Sequence, residues 1–132
     1  MDNLIINHTK TTPEINFDCN NHILSITGKS YPENISEFYG TIFVWLEEYL
    51  EFIVNQNVTV NIDLTYFNST SSKVFMDLFD LLDEAVNDGK NISINWFYDE
   101  ENPGTLEFGE EFKNNLESIQ MVFIGKSTNI DI

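Results

Sequence analysis

Residues 58–75 read VTVNIDLTYFNSTSSKVF and contain the change of pattern that decides the fold. Apolar and polar residues alternate through residues 58–64, which predicts a β-strand with one buried face. From Asn68 onward the apolar residues Phe75, Leu78 and Leu82 recur at helical spacing, which predicts a helix to about residue 87. The stretch therefore predicts a strand that leads through a hydroxyl-rich loop, residues 66–73, into a helix.

Strands and helices alternate along the rest of the chain as well. The predicted strands are residues 4–7, 14–18, 23–27, 58–64, 91–98 and 121–124, and the predicted helices are residues 34–53, 68–87 and 112–116. Gly28 is predicted to end the strand before it, and residues 99–110 are predicted to form an acidic loop. This order predicts a single α/β domain over residues 1–132, with a mostly parallel mixed sheet and helices packed on it.

Three of the predicted strands, which end near residues 27, 65 and 98, are expected to be parallel because one helix joins each to the next. Their carboxyl ends then share one edge of the sheet, where open α/β sheets bind ligands and partners. The segments at that edge are residues 28–34, 66–73 and 99–111. We expect them to meet around Ser69.

The chain is strongly acidic, with 22 Asp and Glu against 6 Lys and Arg, and its net charge is -16. Such a surface repels phosphate backbones and anionic lipid heads, so neither nucleic acid nor a membrane is an expected partner. No signal-peptide pattern opens the sequence and Cys19 is the only cysteine, so we expect a cytoplasmic protein without disulfides. Residues 99–110 partly match a calcium-binding loop, but Pro103 stands where an oxygen ligand is needed, so neither a metal nor a cofactor is expected.

The hydroxyl residues 69–72 admit four interpretations: a helix cap, a nucleophile, a phosphate-binding loop and a phosphorylation site. Capping uses only one or two polar residues. A nucleophilic serine needs a nearby base, and neither His8 nor His22 is expected to reach this edge. The triplet GKS at residues 28–30 lacks the upstream glycine of a phosphate-binding P-loop. Phosphorylation therefore fits the sequence best.

A phosphate on Ser69 would lie at a helix N-terminus, where free N–H groups and the helix dipole favour an anion. Lys73 lies about one turn further along and Lys29 lies in the neighbouring loop, so either ammonium could pair with the phosphate. The helix would stay folded while the acidic edge became repulsive to a partner. Met76 lies outside the apolar face, among aspartates, and is a candidate contact for a partner on this helix.

Several sequence words together resemble the SiaC family of bacterial regulatory phosphoproteins. They are TPEINFD (12–18), GKSYPENISEFY (28–39), WLEEYL (45–50), YFNSTSSK (66–73), INWFYDEE (94–101) and EFGEEF (107–112). The resemblance implies a fold like that of STAS domains and anti-sigma-factor antagonists. It also implies phosphorylation by a serine/threonine kinase, dephosphorylation by a PP2C-type phosphatase, and activation of a diguanylate cyclase by the unphosphorylated form. Cyclic di-GMP and biofilm formation are the outputs that follow from this resemblance.

In the family pattern the phosphorylated residue comes directly after the asparagine of the YFN word, which is Ser69 here. The family usually has threonine at that position, whereas this chain has serine there and threonine next, so Thr70 stays open as the second choice. The family often has arginine where this chain has Lys29, which would contact a phosphate as a point charge without the bidentate fork.

The resemblance and the sheet edge together predict a partner-switching protein without catalytic activity of its own. The residues predicted to line the surface shared by kinase, phosphatase and effector are Tyr31, Pro32, Glu33, Asn34, Asn68, Lys73 and Glu110. One alternative is a small-ligand-binding or enzymatic domain at the same edge, which would need a concave pocket. Another is a structural protein in which Ser69 is a buried helix cap.

Overall fold

The computed structural model describes residues 1–127, and over them six strands and three helices follow one another along the chain. The strands are β1 (Leu4–Ile6), β2 (Glu14–Asp18), β3 (Ile23–Ser30), β4 (Asn57–Phe67), β5 (Asn91–Asp99) and β6 (Gln120–Lys126). The helices are α1 (Ile35–Phe52), α2 (Ser69–Asn87) and α3 (Pro103–Asn114). Over this range no helix combines the length and the apolar character needed to span a bilayer. Residues 128–132, the end of the predicted domain, lie outside the described residues.

The strands form one sheet in the order β1-β2-β3-β4-β5-β6. The pairs among β1, β2 and β3 are antiparallel, and the three pairs from β3 to β6 are parallel. Each parallel connection contains one helix and moves to the next strand in the same direction. Because such crossovers are right-handed, the three helices lie on one face of the sheet. The predicted α/β class with a mostly parallel mixed sheet is confirmed, and the likeness to STAS domains stays a prediction.

The two faces of the sheet differ in polarity. Ile62 of β4 and Ile94 of β5 are buried beneath the helices, as alternation along a strand requires. Their neighbours Asn61 and Asn95 face the other way, and Asn95 Nδ2 donates a hydrogen bond to Asn61 Oδ1 at 3.0 Å. Around the middle of β4 and β5 the opposite face of the sheet therefore carries polar side chains.

Aromatic side chains from all three helices meet in the core. The ring centroids of Tyr39 and Phe75 are 5.8 Å apart, which joins α1 to α2. Those of Phe79 and Phe112 are 5.2 Å apart, which joins α2 to α3, and Trp96 of β5 lies 5.5 Å from Phe112. Burying one such side chain stabilises the fold by about 1.5–3 kcal/mol, so this ring cluster fixes how the helices lie on the sheet.

The predicted ends of two strands are wrong. β3 does not end at Gly28 but continues to Ser30, because Gly28 has φ 123° and the register shifts by a β-bulge between Gly28 and Lys29. β4 continues to Phe67, so the predicted loop 66–73 does not exist. Only Asn68 separates β4 from α2, which brings the hydroxyl residues into the first turn of the helix.

The predicted acidic loop at residues 99–110 is also wrong, because α3 begins at Pro103. Asn102 Oδ1 accepts a hydrogen bond from Gly104 N at 3.3 Å, and proline is favoured at the first helical position. The predicted helix 112–116 begins inside this longer helix. Gly109 is buried against Trp96, where a Cβ would lie 2.6 Å from the indole, so α3 approaches β5 more closely than a larger residue would permit.

Candidate functional site

The candidate site lies where β3 and β4 end beside one another. Ser30 pairs with Phe67 in the parallel register, and Asn68 N donates a hydrogen bond to Ser30 O at 3.2 Å. Two of the segments predicted to share this edge, residues 28–34 and 66–73, therefore meet at the start of α2. This part of the expected arrangement around Ser69 is present.

Asn68 is the cap of α2, as the sequence predicts. Its Oδ1 accepts from Ser71 N at 2.9 Å, and its backbone oxygen accepts from Ser72 N at 2.9 Å. Ser69 and Thr70 are exposed, and within residues 1–127 their hydroxyls make no hydrogen bond. The backbone N–H groups of the first helical residues have no intrahelical acceptor. The start of α2 thus combines free hydroxyls with free N–H donors.

A buried hydroxyl cluster, made of Ser30, Tyr39 and Ser71, lies beneath this turn. Both serines have no exposed surface, and Ser30 Oγ lies 2.8 Å from Ser71 Oγ and 2.6 Å from the Tyr39 hydroxyl. Burial raises the pKa of Tyr39 to about 12, against the smaller lowering by its hydrogen bond to Ser30. The cluster joins β3, α1 and α2, and it holds the start of α2 in place.

Sequence reasoning did not predict that Ser30 and Ser71 are buried. A signal for each is present in the pattern, however. Ser71 lies four residues before Phe75 and seven before Leu78, which puts it on the core face of α2. Ser30 follows Leu24 and Ile26 in the inward series of β3 once the strand is allowed to pass Gly28.

The ammonium groups of the two lysines predicted to meet a phosphate make no contact with Ser69. Lys73 Nζ is 2.7 Å from Asp77 Oδ1, in an exposed ion pair one turn further along α2. Lys29 precedes the inward-facing Ser30 in β3, so its side chain leaves the sheet on the open face. Neither ammonium is in contact with the Ser69 hydroxyl in this structure.

The predicted residues of the segment between β3 and α1 lie together at one side of the edge. Asn34 caps α1 by accepting from Glu37 N at 3.0 Å, and the ring of Tyr31 packs edge-on against Tyr66 at 5.6 Å. Pro32 and Glu33 line an open groove with Asn34. These four residues belong to the entry of α1, whereas Ser69 belongs to the entry of α2.

The flank of α2 nearest to α3 carries the predicted contact Met76. Its side chain is 37% exposed, one turn from Phe79, which packs on Phe112 of α3. Phe108 of α3 is 45% exposed and lies against Phe67 at 5.0 Å between ring centroids. Sequence reasoning missed Phe108 because the segment was assigned to a loop.

Glu110 lies elsewhere on α3. It is exposed and two residues from both Phe108 and Phe112, which is about 200° around the helix. The aromatic side faces α2, so Glu110 points to the far flank. The structure does not bring the predicted residue Glu110 to Ser69.

The two histidines are placed differently from one another. His22 lies in the β2–β3 turn, where its Nδ1 is 2.6 Å from the Tyr49 hydroxyl, at the opposite end of the sheet. His8 lines a hollow with Gly28 and Lys29, so the expectation that it stays away from this edge is wrong. The N-terminal segment runs beside β3, which carries His8 there. His8 makes no hydrogen bond with Ser69 or Thr70.

Comparison with known proteins finds one family and several close structures. Residues 6–126 match the family described as SiaC family regulatory phosphoprotein. An uncharacterized protein of Pseudomonas aeruginosa strain UCBPP-PA14 is 38% identical over 113 residues, which is 86% of this chain and 89% of that protein.

Two solved structures share the fold. Apo-SiaC from Pseudomonas aeruginosa has a TM-score of 0.85 and 35% identity, covering 93% of this chain and 98% of its own. A chain from the complex of diguanylate cyclase SiaD with its activator SiaC has a TM-score of 0.87 and 35% identity, covering 93% and 99%. The identity, the coverage and the family match agree, and the chain belongs to the SiaC family of regulatory phosphoproteins.

Proposed function

We propose that the protein is a non-enzymatic switch set by reversible phosphorylation at Ser69. A serine/threonine kinase adds the phosphate and a PP2C-type phosphatase removes it, in the cytoplasm. The unphosphorylated form binds and activates a diguanylate cyclase, and so raises cyclic di-GMP and affects biofilm formation. Support for this output comes from SiaC of Pseudomonas aeruginosa, which forms a complex with diguanylate cyclase SiaD as its activator.

The observation that carries the proposal is the difference in access among the four hydroxyl residues of α2. Ser71 is fully buried in the hydroxyl cluster and Ser72 is half-buried. Ser69 and Thr70 are exposed, and their hydroxyls make no hydrogen bond within residues 1–127. A kinase needs an accessible hydroxyl, so these two are the candidates. Ser69 comes directly after the cap and is the first choice.

A phosphate at Ser69 is compatible with the folded helix. It would sit beside the free N–H groups of the first turn and the positive end of the helix dipole. α2 carries no acidic residue in that turn to oppose the added charge. Beneath this turn, the buried hydroxyl cluster of Ser30, Tyr39 and Ser71 joins the first turn of α2 to β3 and α1. The modification therefore changes the surface without unfolding the helix.

The alternatives find less support. Parallel strands β3 to β6 keep one order without reversal, so the sheet lacks the crevice that a topological switch point gives to ligands. Only Asn68 separates β4 from α2, so this connection contributes no loop that could wall a cleft beside Ser69. Ser69 is not a buried cap, because Asn68 is the cap and Ser69 is exposed.

The test is phosphorylation with the cognate kinase and ATP, read by intact mass, on wild type, Ser69→Ala and Thr70→Ala. We expect one added phosphate on wild type and Thr70→Ala and none on Ser69→Ala. A second assay measures cyclic di-GMP synthesis by the cognate cyclase with each form. Activation only by the unphosphorylated protein is expected. Loss of phosphate on Thr70→Ala alone would move the site, and equal activation by both forms would refute the switch.

A further inference from the structure

We propose that the partner docks on the seam between α2 and α3 through a basic amphipathic segment. The seam patch consists of Ser69, Ser72 and Met76 of α2 and Phe108 of α3. The inference rests on the proposed function in one respect, since it takes the patch to be the surface that phosphorylation controls. Its chemistry follows from contacts and charges of the described residues.

Four rings beneath the seam patch connect α2, α3 and β4: Phe67, Phe75, Phe79 and Phe112. Phe67 contacts Phe108 at 5.0 Å and Phe75 at 5.9 Å, and Phe79 contacts Phe112 at 5.2 Å. At the far end of the seam, Asp83 of α2 accepts hydrogen bonds from the N–H groups of residues 117–119, directly after α3. The positions of Ser69, Ser72, Met76 and Asp83 repeat at helical spacing, so they lie along the same flank of α2.

The apolar part of the patch is exposed at its centre. Met76 and Phe108 leave 37% and 45% of their surface open, while most large apolar side chains of α2 are buried. Met76 is flexible and polarisable, and such side chains adapt well to a partner's apolar residue. Aromatic residues and methionine are enriched at protein interfaces, where a few central side chains carry most of the binding energy.

The rim of the patch is acidic. Asp80 follows Met76 by one turn of α2, and Glu111 follows Phe108 by nearly one turn of α3. The nearest lysine on α2, Lys73, is already paired with Asp77. The whole chain has a net charge of -16, so an acidic partner would be repelled before any modification. The complementary occupant presents an apolar side chain flanked by Lys or Arg, which is the pattern of a basic amphipathic helix.

This chemistry decides how a phosphate at Ser69 would weaken binding. A basic partner is not repelled by an added negative charge over long range. Docking would instead have to remove water from a dianion at the border of the seam patch, and that desolvation is costly. Desolvation at short range is not screened by salt, unlike repulsion between exposed charges. Inhibition by phosphate should therefore persist at high ionic strength.

The first experiment measures cyclase binding by Met76→Glu and Phe108→Glu. The matched control is Val44→Glu on α1, where Val44 is 60% exposed and far from the seam in the fold. We expect each seam variant to bind about tenfold or more weakly and the control to bind as wild type does. All three positions are exposed, and a thermal melt checks that the variants are folded. Unchanged binding by both seam variants would overturn the proposal.

The second experiment does not depend on the cyclase. The probe is a synthetic peptide of Leu and Lys with about 14 residues, or roughly four helical turns, and its control is a scrambled peptide of equal composition. The methyl signal of Met76 is followed by NMR at about 0.15 M salt, with buried Met121 and terminal Met1 as internal references. We expect a saturable shift of Met76 alone, abolished in Phe108→Glu and kept in Val44→Glu.

The outcomes separate the two proposals. Failure of wild type to bind the cyclase refutes the proposed function, and the peptide experiment still decides the seam. A Met76 signal unmoved by the peptide, or moved equally by the scrambled one, overturns the docking proposal. A shift of the Met76 signal with protein concentration alone also overturns it, because the patch would then bind a second copy of the chain. Recovery of binding by the phosphorylated form in high salt would indicate repulsion and an acidic partner, and would also overturn it.

Discussion

Helices α1 and α2 both begin with an asparagine cap, but they differ in the residue that donates a hydrogen bond to that cap. Each helix follows a parallel strand and is capped by an asparagine: Asn34 accepts from Glu37 N at 3.0 Å, and Asn68 accepts from Ser71 N at 2.9 Å. The donor is the third helical residue in both. In α1 that residue is an exposed glutamate, whose Oε2 accepts from Asn34 Nδ2 at 3.1 Å. In α2 it is a fully buried serine.

This difference affects how well each helix start would tolerate an added phosphate. Glu37 already places a negative charge at the positive end of α1, so an added phosphate there would meet a like charge. Ser71 instead turns inward to Ser30 and leaves the start of α2 without an acid. Ser36 of α1 is exposed as well, so the proposal that Ser69 is the phosphorylated residue requires more of a site than a surface hydroxyl in a first turn. We infer that the absence of an acid and the buried support beneath the helix distinguish the start of α2 from that of α1.

The largest expected effect concerns the support beneath α2 and its dependence on pH. Burial raises the pKa of Tyr39 to about 12 in the folded protein, above the ordinary value of 10.0. Below pH 10 both folded and unfolded states keep the proton, so the stabilisation is complete. Between pH 10 and 12 the unfolded state loses the proton first, and the free energy of unfolding should fall by about 2–3 kcal/mol. Urea denaturation at pH 9 and pH 11.5 measures most of this fall, about 2 kcal/mol, because the two pH values lie either side of the ordinary tyrosine pKa.

The Tyr39→Phe variant is the control for that measurement. It cannot ionise at this position. Between pH 9 and 11.5 its free energy of unfolding should therefore fall by about 2 kcal/mol less than that of wild type. Tyr49, whose pKa burial also raises to about 12, remains in both proteins and cancels in the difference. An equal fall in both proteins would show that Tyr39 is not held in its neutral form by the fold.

The next effect compares the same change at the two helix starts. Ser71→Ala removes one hydroxyl of the buried cluster and leaves Ser30 with Tyr39 as its remaining hydroxyl partner. We expect a loss of about 1–2 kcal/mol in the free energy of unfolding. Ser36→Ala at the exposed position of α1 should stay within about 0.5 kcal/mol of wild type. Denaturant titration of both variants checks the contrast, and equal losses would mean that the cluster contributes nothing special to α2.

The sequence was sufficient for the pattern of elements but not for their ends. Alternation and helical spacing located β2, β4, α1 and α2, because each buries one regular apolar face. Most of α3 was missed, and only its last residues overlap the predicted helix 112–116, because its buried residues include Gly109, which carries no apolar signal, and its outer face is acidic. The contact that makes Gly109 necessary, the indole of Trp96, is visible only in three dimensions.

The candidate site was predictable in part for similar reasons. Asn68 and the exposed Ser69 follow from local capping rules, which depend only on neighbours in sequence. The buried pair of Ser30 and Ser71 spans 41 positions in the chain and depends on the bulge at Gly28, which no local rule supplies. Phe108 likewise lies at the seam because its ring packs on Phe67, and α2 and β5 separate these two residues in the chain. Long-range register, and not residue type, is what the sequence left undetermined.

The smallest effect is the direct consequence of phosphate on the helix itself. A dianion at the first residue of α2 interacts favourably with the helix dipole and the free N–H groups, so phosphorylation at Ser69 should raise the free energy of unfolding by about 0.3–1 kcal/mol. Salt should reduce this gain, because the phosphate is exposed at the surface. Thermal unfolding of the phosphorylated and unphosphorylated protein, each at low and high ionic strength, measures it. A loss of stability on phosphorylation would mean that the phosphate disrupts the start of α2. The absence of an acid there would then not make α2 a better place for a phosphate than α1.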